Sequence, residues 1–172
     1  MKIRFLIPFC VVINTLYSQK TVNMNELVIN YEGESPCATL MSNGKYFTGY
    51  AESYGINEKL EIKQEYKKGK LKNESYYYEN GIVKSVIHYD EIGREQGKYK
   101  EWDSLGRLTL EGEYLKGERQ GIWTFYQWGK LIKMGEYTLG KMNGVWKYLD
   151  FNGNIIRREF YVDGELQKTE IY

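Results

Sequence analysis

A pattern of glycines and aromatic residues recurs every 23 to 24 residues through the second half of this chain. Gly97, Gly121 and Gly144 each stand two residues before an aromatic ring, and each is followed by a turn glycine and a closing tyrosine. A further glycine follows each tyrosine, and counting these glycines toward the N-terminus extends the pattern to Gly69, Gly93, Gly117, Gly140 and Gly164. Self-similarity at a fixed period is typical of a repeat architecture, in which neighbouring units complete one another's core.

This spacing divides the chain into five units, 49–71, 72–96, 97–119, 120–142 and 143–166. Each unit has room for two strands and two turns. With 17 Tyr, 18 Gly and only 2 Pro, the composition favours β-strands joined by tight turns over helices. We therefore predict an all-β fold, an elongated repeat array of successive antiparallel β-hairpins that forms a twisted open sheet.

The alternation of side chains along a strand predicts which residues share a face. One face takes Leu108, Leu110, Gly112 and Tyr114 in the third unit, and Leu131, Lys133, Gly135 and Tyr137 in the fourth. Glu111 and Glu113 take the opposite face. A glycine in mid-strand leaves room for a large ring from a neighbouring strand. Trp123 and Tyr126 are three residues apart, so either the sheet carries rings on both sides or a bulge redirects one of them.

The N-terminal segment is typical of a secretory signal. Lys2 and Arg4 precede a mostly apolar run, 5–16, and Ser18 offers a small residue for cleavage. We predict a signal peptide at 1–18 and export to the periplasm, the outer-membrane surface or the extracellular space; the alternative is a buried N-terminal strand.

The segment 19–48 is predicted to be a leader that caps the first edge of the array at 49–166. Strands are expected at 26–31 and 38–41, with a break at 33–36, and Asn43-Gly44 predicts a hairpin turn into 46–48. The C-terminal tail, 167–172, could add a final covering strand.

Charge and residue chemistry exclude several classes of function. The 24 basic and 23 acidic residues nearly cancel, so the chain lacks the basic patch expected of a nucleic-acid-binding protein. His88 is the only histidine and Cys37 the only cysteine after the signal, so we expect no catalytic residues, no metal site and no cofactor. Glu111 and Glu113 are interpreted as charges on a solvated sheet face. The chain is therefore predicted not to be an enzyme.

The aromatic residues are the best candidates for a binding site. Equivalent positions of adjacent units predict one column of Tyr99, Trp123 and Trp146 and another of Tyr66, Tyr114, Tyr137 and Tyr161. These columns are explained either by packing or by recognition of a partner protein, since Trp and Tyr dominate binding hot spots. The predicted contact residues are Trp128, Trp123, Tyr126, Trp146, Tyr99 and Trp102. Trp128 ranks first because it precedes Gly129 in a turn, where its ring should be exposed.

The repeated pattern resembles the MORN repeat, and more closely the MORN-variant proteins of bacterial toxin–antitoxin systems. The resemblance spans 43–166, and its residues in the fourth unit are Gly121-Ile-Trp123, Tyr126, Gly129-Lys-Leu131, Gly135-Glu-Tyr137 and Gly140-Lys141. It implies twisted antiparallel sheets of successive hairpins that are not enzymes and that contact proteins or lipids.

Two functions follow as expectations. The first is a secreted, non-enzymatic repeat protein that binds another protein through an aromatic sheet face, in an antitoxin or immunity role. The alternative is an envelope-associated structural protein that contacts lipid or polysaccharide, although no sequence feature specifically supports membrane or glycan contact.

Overall fold

The computed structural model describes residues 20–172. The predicted signal at 1–18 lies outside this range. The described chain contains one 3₁₀ turn, Met24–Glu26, and otherwise strands and connections. The strands are β1 (Thr21–Asn23), β2 (Leu27–Glu32), β3 (Ser35–Leu40), β4 (Gly49–Tyr54), β5 (Leu60–Lys67), β6 (Lys70–Tyr77), β7 (Val83–His88), β8 (Gly97–Trp102), β9 (Leu108–Leu115), β10 (Glu118–Gln127), β11 (Lys130–Thr138), β12 (Lys141–Leu149), β13 (Ile155–Val162) and β14 (Glu165–Ile171).

Twelve of these strands form one long open sheet. Strands β4 to β14 lie in sequence order, and each pairs antiparallel with the next. Strand β1 lies parallel to β4 at one edge, and β2 and β3 form a separate two-stranded sheet. The predicted all-β class and the open sheet of antiparallel, hairpin-like strands are confirmed. Strand β14 lies where a covering strand was anticipated, although it begins at Glu165.

Two kinds of turn connect the strands. Two-residue turns such as Lys116-Gly117 have both φ angles positive, at +55° and +88°. Such turns match the twist of the flanking strands. Longer loops such as 103–107 are closed by an aspartate. The carboxylate of Asp103 accepts the backbone N–H groups of Leu105 and Arg107 at 2.9 and 3.0 Å. The connections therefore keep the neighbouring strands antiparallel.

The leader differs in detail from its prediction. Pro36 lies inside β3 rather than in a break. No strand forms at 46–48, where Tyr46 makes only an isolated bridge with Thr39. Of the Asn43-Gly44 pair only Gly44 has a positive φ, +63°, and the Asn43 side chain accepts the Lys45 N–H at 2.9 Å instead. The second half of the predicted hairpin is therefore a turn followed by extended chain.

The leader is joined to the start of the large sheet by a small apolar core. Ala38, Phe47 and Tyr66 are buried there, and the Phe47 and Tyr66 rings lie 5.9 Å apart. Backbone hydrogen bonds connect the same segments. Ala38 N–H donates to Gly69 O at 2.8 Å, and Gly69 N–H donates to Phe47 O at 2.7 Å. This packing covers one side of the first strands and leaves the later strands uncovered by the leader.

Candidate functional site

Five aromatic rings pack against one another on one side of strands β8 to β12. The Trp123 ring stacks on Tyr99 with centroids 5.8 Å apart and meets the edges of Tyr114 and Tyr137 at 5.1 and 5.9 Å. Tyr137 in turn meets Trp146 at 5.1 Å. We call the side of β8 to β13 that carries these rings the aromatic face. The predicted column of Tyr99, Trp123 and Trp146 therefore interlocks with Tyr114 and Tyr137 of the second column. Tyr66 packs against Phe47 instead, and the Tyr161 hydroxyl bonds to Glu159.

The two tryptophans of this face fill space that mid-strand glycines leave open. A Cβ atom on Gly112 would lie 2.2 Å from the Trp123 ring, and one on Gly135 would lie 2.1 Å from the Trp146 ring. The indole Nε1 groups donate to backbone carbonyls, Trp123 to Glu113 at 3.3 Å and Trp146 to Glu136 at 3.2 Å. Both tryptophans are fully buried. Their rings therefore serve packing and offer no surface to a partner.

Other predicted contact residues lie elsewhere. The Tyr126 hydroxyl donates to Glu111 at 2.9 Å, and Thr124 donates to the same carboxylate at 3.3 Å on the side opposite Trp123. The sheet thus carries rings on both sides, and a pairing shift also falls between Phe125 and Tyr126. Trp102 is half-buried, and its carbonyl accepts the Tyr78 hydroxyl at 3.0 Å. The six predicted residues do not converge on a single site.

Trp128 is the exposed tryptophan that its turn position predicts. It is 65% exposed and stacks on Phe151, which is 43% exposed, with ring centroids 5.3 Å apart and an interplanar angle of 22°. Its φ of +51° lies in the left-handed region, which is unfavourable for a bulky side chain. Lys130 Nζ donates to the Phe151 carbonyl at 2.8 Å and ties the two turns together. We call Trp128 and Phe151 the turn pair.

Two cations lie over the rings of the aromatic face. The Arg119 guanidinium carbon is 4.3 Å from the Trp123 ring centroid, and Arg119 donates to the Tyr137 hydroxyl at 3.2 Å. Lys133 Nζ is 4.7 Å from the Trp146 ring centroid. Alternation along β11 predicted the side on which Lys133 lies. Neither Arg119 nor Phe151 was predicted, because the pairing irregularity in β10 and the loop at 150–154 interrupt that alternation.

A buried carboxylate anchors the tyrosines at the C-terminal end of this face. Glu159 accepts the hydroxyls of Tyr148 at 2.5 Å and Tyr161 at 2.9 Å, and Arg157 Nε lies 3.4 Å away. Burial by itself favours the neutral form of Glu159. The hydrogen bonds from the two tyrosines and the positive charges of Arg157 and Lys133 favour the ionised form, and together they outweigh the effect of burial. The pKa of Glu159 therefore lies below its ordinary value of 4.5.

The lowered pKa of Glu159 predicts a loss of stability in acid. As pH falls, this carboxyl takes up its proton in the unfolded chain before it does so in the folded chain. The stabilisation from ionised Glu159 is therefore complete above the pKa of the unfolded chain and is lost as pH falls through the pKa of the folded chain. Replacing Glu159 by Gln should lower the free energy of unfolding by about 1.5 kcal/mol at neutral pH and by much less near pH 3. Urea unfolding across this pH range measures the difference. Glu165→Gln, at an exposed site, is the control and should give little change at either pH.

His88 and Cys37 lie in different parts of the structure. His88 is exposed, and its Nδ1 lies 2.9 Å from the Asn73 side-chain oxygen. Cys37 is buried, with Lys70 Nζ 3.0 Å from its sulfur. Over residues 20–172, no three His, Cys, Asp or Glu side chains are grouped as metal ligands would be. No helix in this range is long and apolar enough to cross a membrane.

Comparison with protein-family models gives no match, and comparison with curated proteins finds none that is similar.

Proposed function

We propose that this chain is a secreted, non-enzymatic repeat protein of the MORN-variant kind that binds another protein. The contact surface is the turn pair together with Arg119 and Lys133, which lie over the buried tryptophans of the aromatic face, and the role is that of an antitoxin or immunity protein. The observation that carries the proposal is the stacked, exposed pair of Trp128 and Phe151.

An exposed tryptophan at a positive φ stabilises the folded chain poorly. An asparagine or glycine would fit the same backbone with less strain. Strained residues cluster at binding sites, where the gain comes from the ligand rather than from folding. Tryptophan, tyrosine and arginine are also the residues enriched in binding hot spots. The turn pair at one end of β10, together with Arg119 at the other end of the same strand, therefore fits a protein interface.

Five repeat units are supported by the equivalence of positions along the sheet. A tyrosine lies near the end of the second strand in four of the proposed units and pairs with a residue near the start of the next strand; these are Tyr66, Tyr114, Tyr137 and Tyr161. In the second unit Tyr89 directly follows β7 and pairs with Glu95, just before β8, with the longer turn 90–94 between them. This regularity favours a MORN-like array over an unrelated meander.

Retention of a partner by the tagged chain tests the proposal. Trp128→Asn removes the ring and suits the positive φ, so the chain should fold normally and lose the partner. Lys68→Asn is a matched control, because Lys68 also precedes a glycine, has φ of +51°, is exposed and lies outside both the aromatic face and the turn pair. Equal retention by both variants, or no protein retained by the unsubstituted chain, would contradict the proposal.

The second candidate function is contact with lipid or polysaccharide. It is favoured by apolar side chains at the turn-pair end of the strands, where Ile56 and Leu105 are 102% and 69% exposed. Sedimentation with liposomes and binding to immobilised glycans distinguish the two functions. Binding to either that requires Ile56 and Leu105, with no protein partner, would favour this alternative.

A further inference from the structure

Arg119 and Lys133 are cations held on the aromatic face without a carboxylate partner. Among residues 20–172, no Asp or Glu oxygen lies within ion-pair distance of either one. Glu95 interacts with Arg119 and Glu159 with Lys133 only at longer range, and Glu159 is already engaged by Tyr148, Tyr161 and Arg157. Each of the two cations therefore contacts aromatic rings and has no carboxylate in direct contact.

The surroundings of Lys133 make its charge unusually available to an anion. Its Nζ lies 4.7 Å from the Trp146 ring centroid and 5.2 Å from those of Phe125 and Tyr148. No hydrogen bond from this ammonium to another residue is formed within the described chain. Burial, with Arg157 and Arg119 nearby, lowers the pKa of Lys133, although Glu159 opposes this. A carboxylate approaching from solvent would contact a partly desolvated ammonium that lies over three aromatic rings. Charge-assisted hydrogen bonds are strong in such surroundings.

Arg119 has a comparable arrangement on the neighbouring strand. Its guanidinium lies over Trp123, and one nitrogen donates to Tyr137. A guanidinium has five N–H donors in a plane, so the remaining donors can bind a carboxylate while the face of the group stays on the ring. Tyr137 contacts both Trp123 and Trp146, and so connects the two cation sites through packed rings.

We propose that Arg119 and Lys133 are receptors for carboxylates on an acidic segment of the partner protein. This rests on the proposed function, because it specifies the chemistry of the partner at the same face. Glu101 and Glu159 also lie on this face and would repel a polyanion such as nucleic acid or an anionic membrane. Separate carboxylates flanked by apolar side chains fit this mixture of cations, acids and rings better than a phosphate group does.

Binding of a short peptide of alternating glutamate and leucine to the full chain tests this inference. The matched peptide carries glutamine in place of glutamate. The glutamate peptide should bind, and Lys133→Gln or Arg119→Gln should each weaken its binding about tenfold, as expected on losing one charge-assisted contact. Lys133→Arg should retain most of the affinity. Lys147→Gln is the control, because Lys147 lies on β12 beside Trp146 and projects from the opposite side of the sheet.

Several results would overturn the inference. Equal binding of the two peptides, equal effects of Lys133→Gln and Lys147→Gln, or binding of inorganic phosphate in preference to the peptide would each do so. The unfolding midpoint of every variant is measured alongside, so that lost binding is not confused with lost folding. If the Trp128-dependent partner is retained but the peptide does not bind, only this inference fails. If the peptide binds as expected and no partner is retained, the proposed function fails and the carboxylate site stands.

Discussion

Replacing Gly135 by Ala is expected to lower the free energy of unfolding by about 3 kcal/mol, which is a large share of the stability of a single domain. The added Cβ would lie 2.1 to 2.5 Å from three atoms of the Trp146 indole. This ring has little freedom to move, because it is fully buried and its Nε1 is bonded to the Glu136 carbonyl. Urea unfolding followed by circular dichroism measures the loss.

Two comparisons separate this clash from a general effect of replacing glycine. Gly129→Ala introduces a Cβ with no neighbour within 4 Å, at a φ of +77°. Its cost should be near 1 kcal/mol, from backbone strain alone. Trp146→Leu combined with Gly135→Ala should cost at least about 2 kcal/mol less than the sum of the two single changes, because the smaller side chain removes the clash. Additive costs would show that Gly135 and Trp146 do not depend on each other.

Replacing Trp123 by Ala should lower the free energy of unfolding by about 4 kcal/mol, within the range for a fully buried tryptophan. The change would empty the space over Gly112 and remove the ring that Tyr99, Tyr114 and Arg119 pack against. Because an open sheet distributes its core along its length, the loss should also reduce the cooperativity of unfolding between neighbouring strands.

Trp128→Ala is the comparison for this prediction. Trp128 is largely exposed and stacks only on Phe151, so its removal should cost less than about 1 kcal/mol. Differential scanning calorimetry of both variants gives the contrast directly. Equal losses for Trp123→Ala and Trp128→Ala would contradict the division between packing rings and contact rings.

Much of the sheet could be predicted from the sequence because strands and turns impose short-range rules. The period of two along a strand placed Gly112 and Gly135 on the same face as Tyr114 and Tyr137, and the rings above these glycines followed from the missing side chains. The exposure of Trp128 followed from its place before a turn glycine.

The parts that sequence reasoning missed depend on irregular pairing and on packing between turns. The register of β10 against β9 shifts between Gln120 and Thr124, so alternation did not predict that Arg119 would lie over Trp123. The contact of Phe151 with Trp128 joins loops more than 20 residues apart in sequence, which alternation along a single strand does not relate. In the leader, β3 includes Pro36 because Pro36 lies in an edge strand, where proline is tolerated.

Hydrogen–deuterium exchange of the chain with its retained protein partner tests the central claim, that recognition takes place at the turn pair and the aromatic face. The partner should slow exchange at 127–130 and 150–154, the two turns that carry Trp128 and Phe151, and along β11 beside Lys133. The turn at Lys68-Gly69, which joins β5 and β6 next to the leader and lies outside the aromatic face, should exchange as it does in the free chain. Protection confined to that turn, or to the side of the sheet that carries Glu111, would contradict the claim.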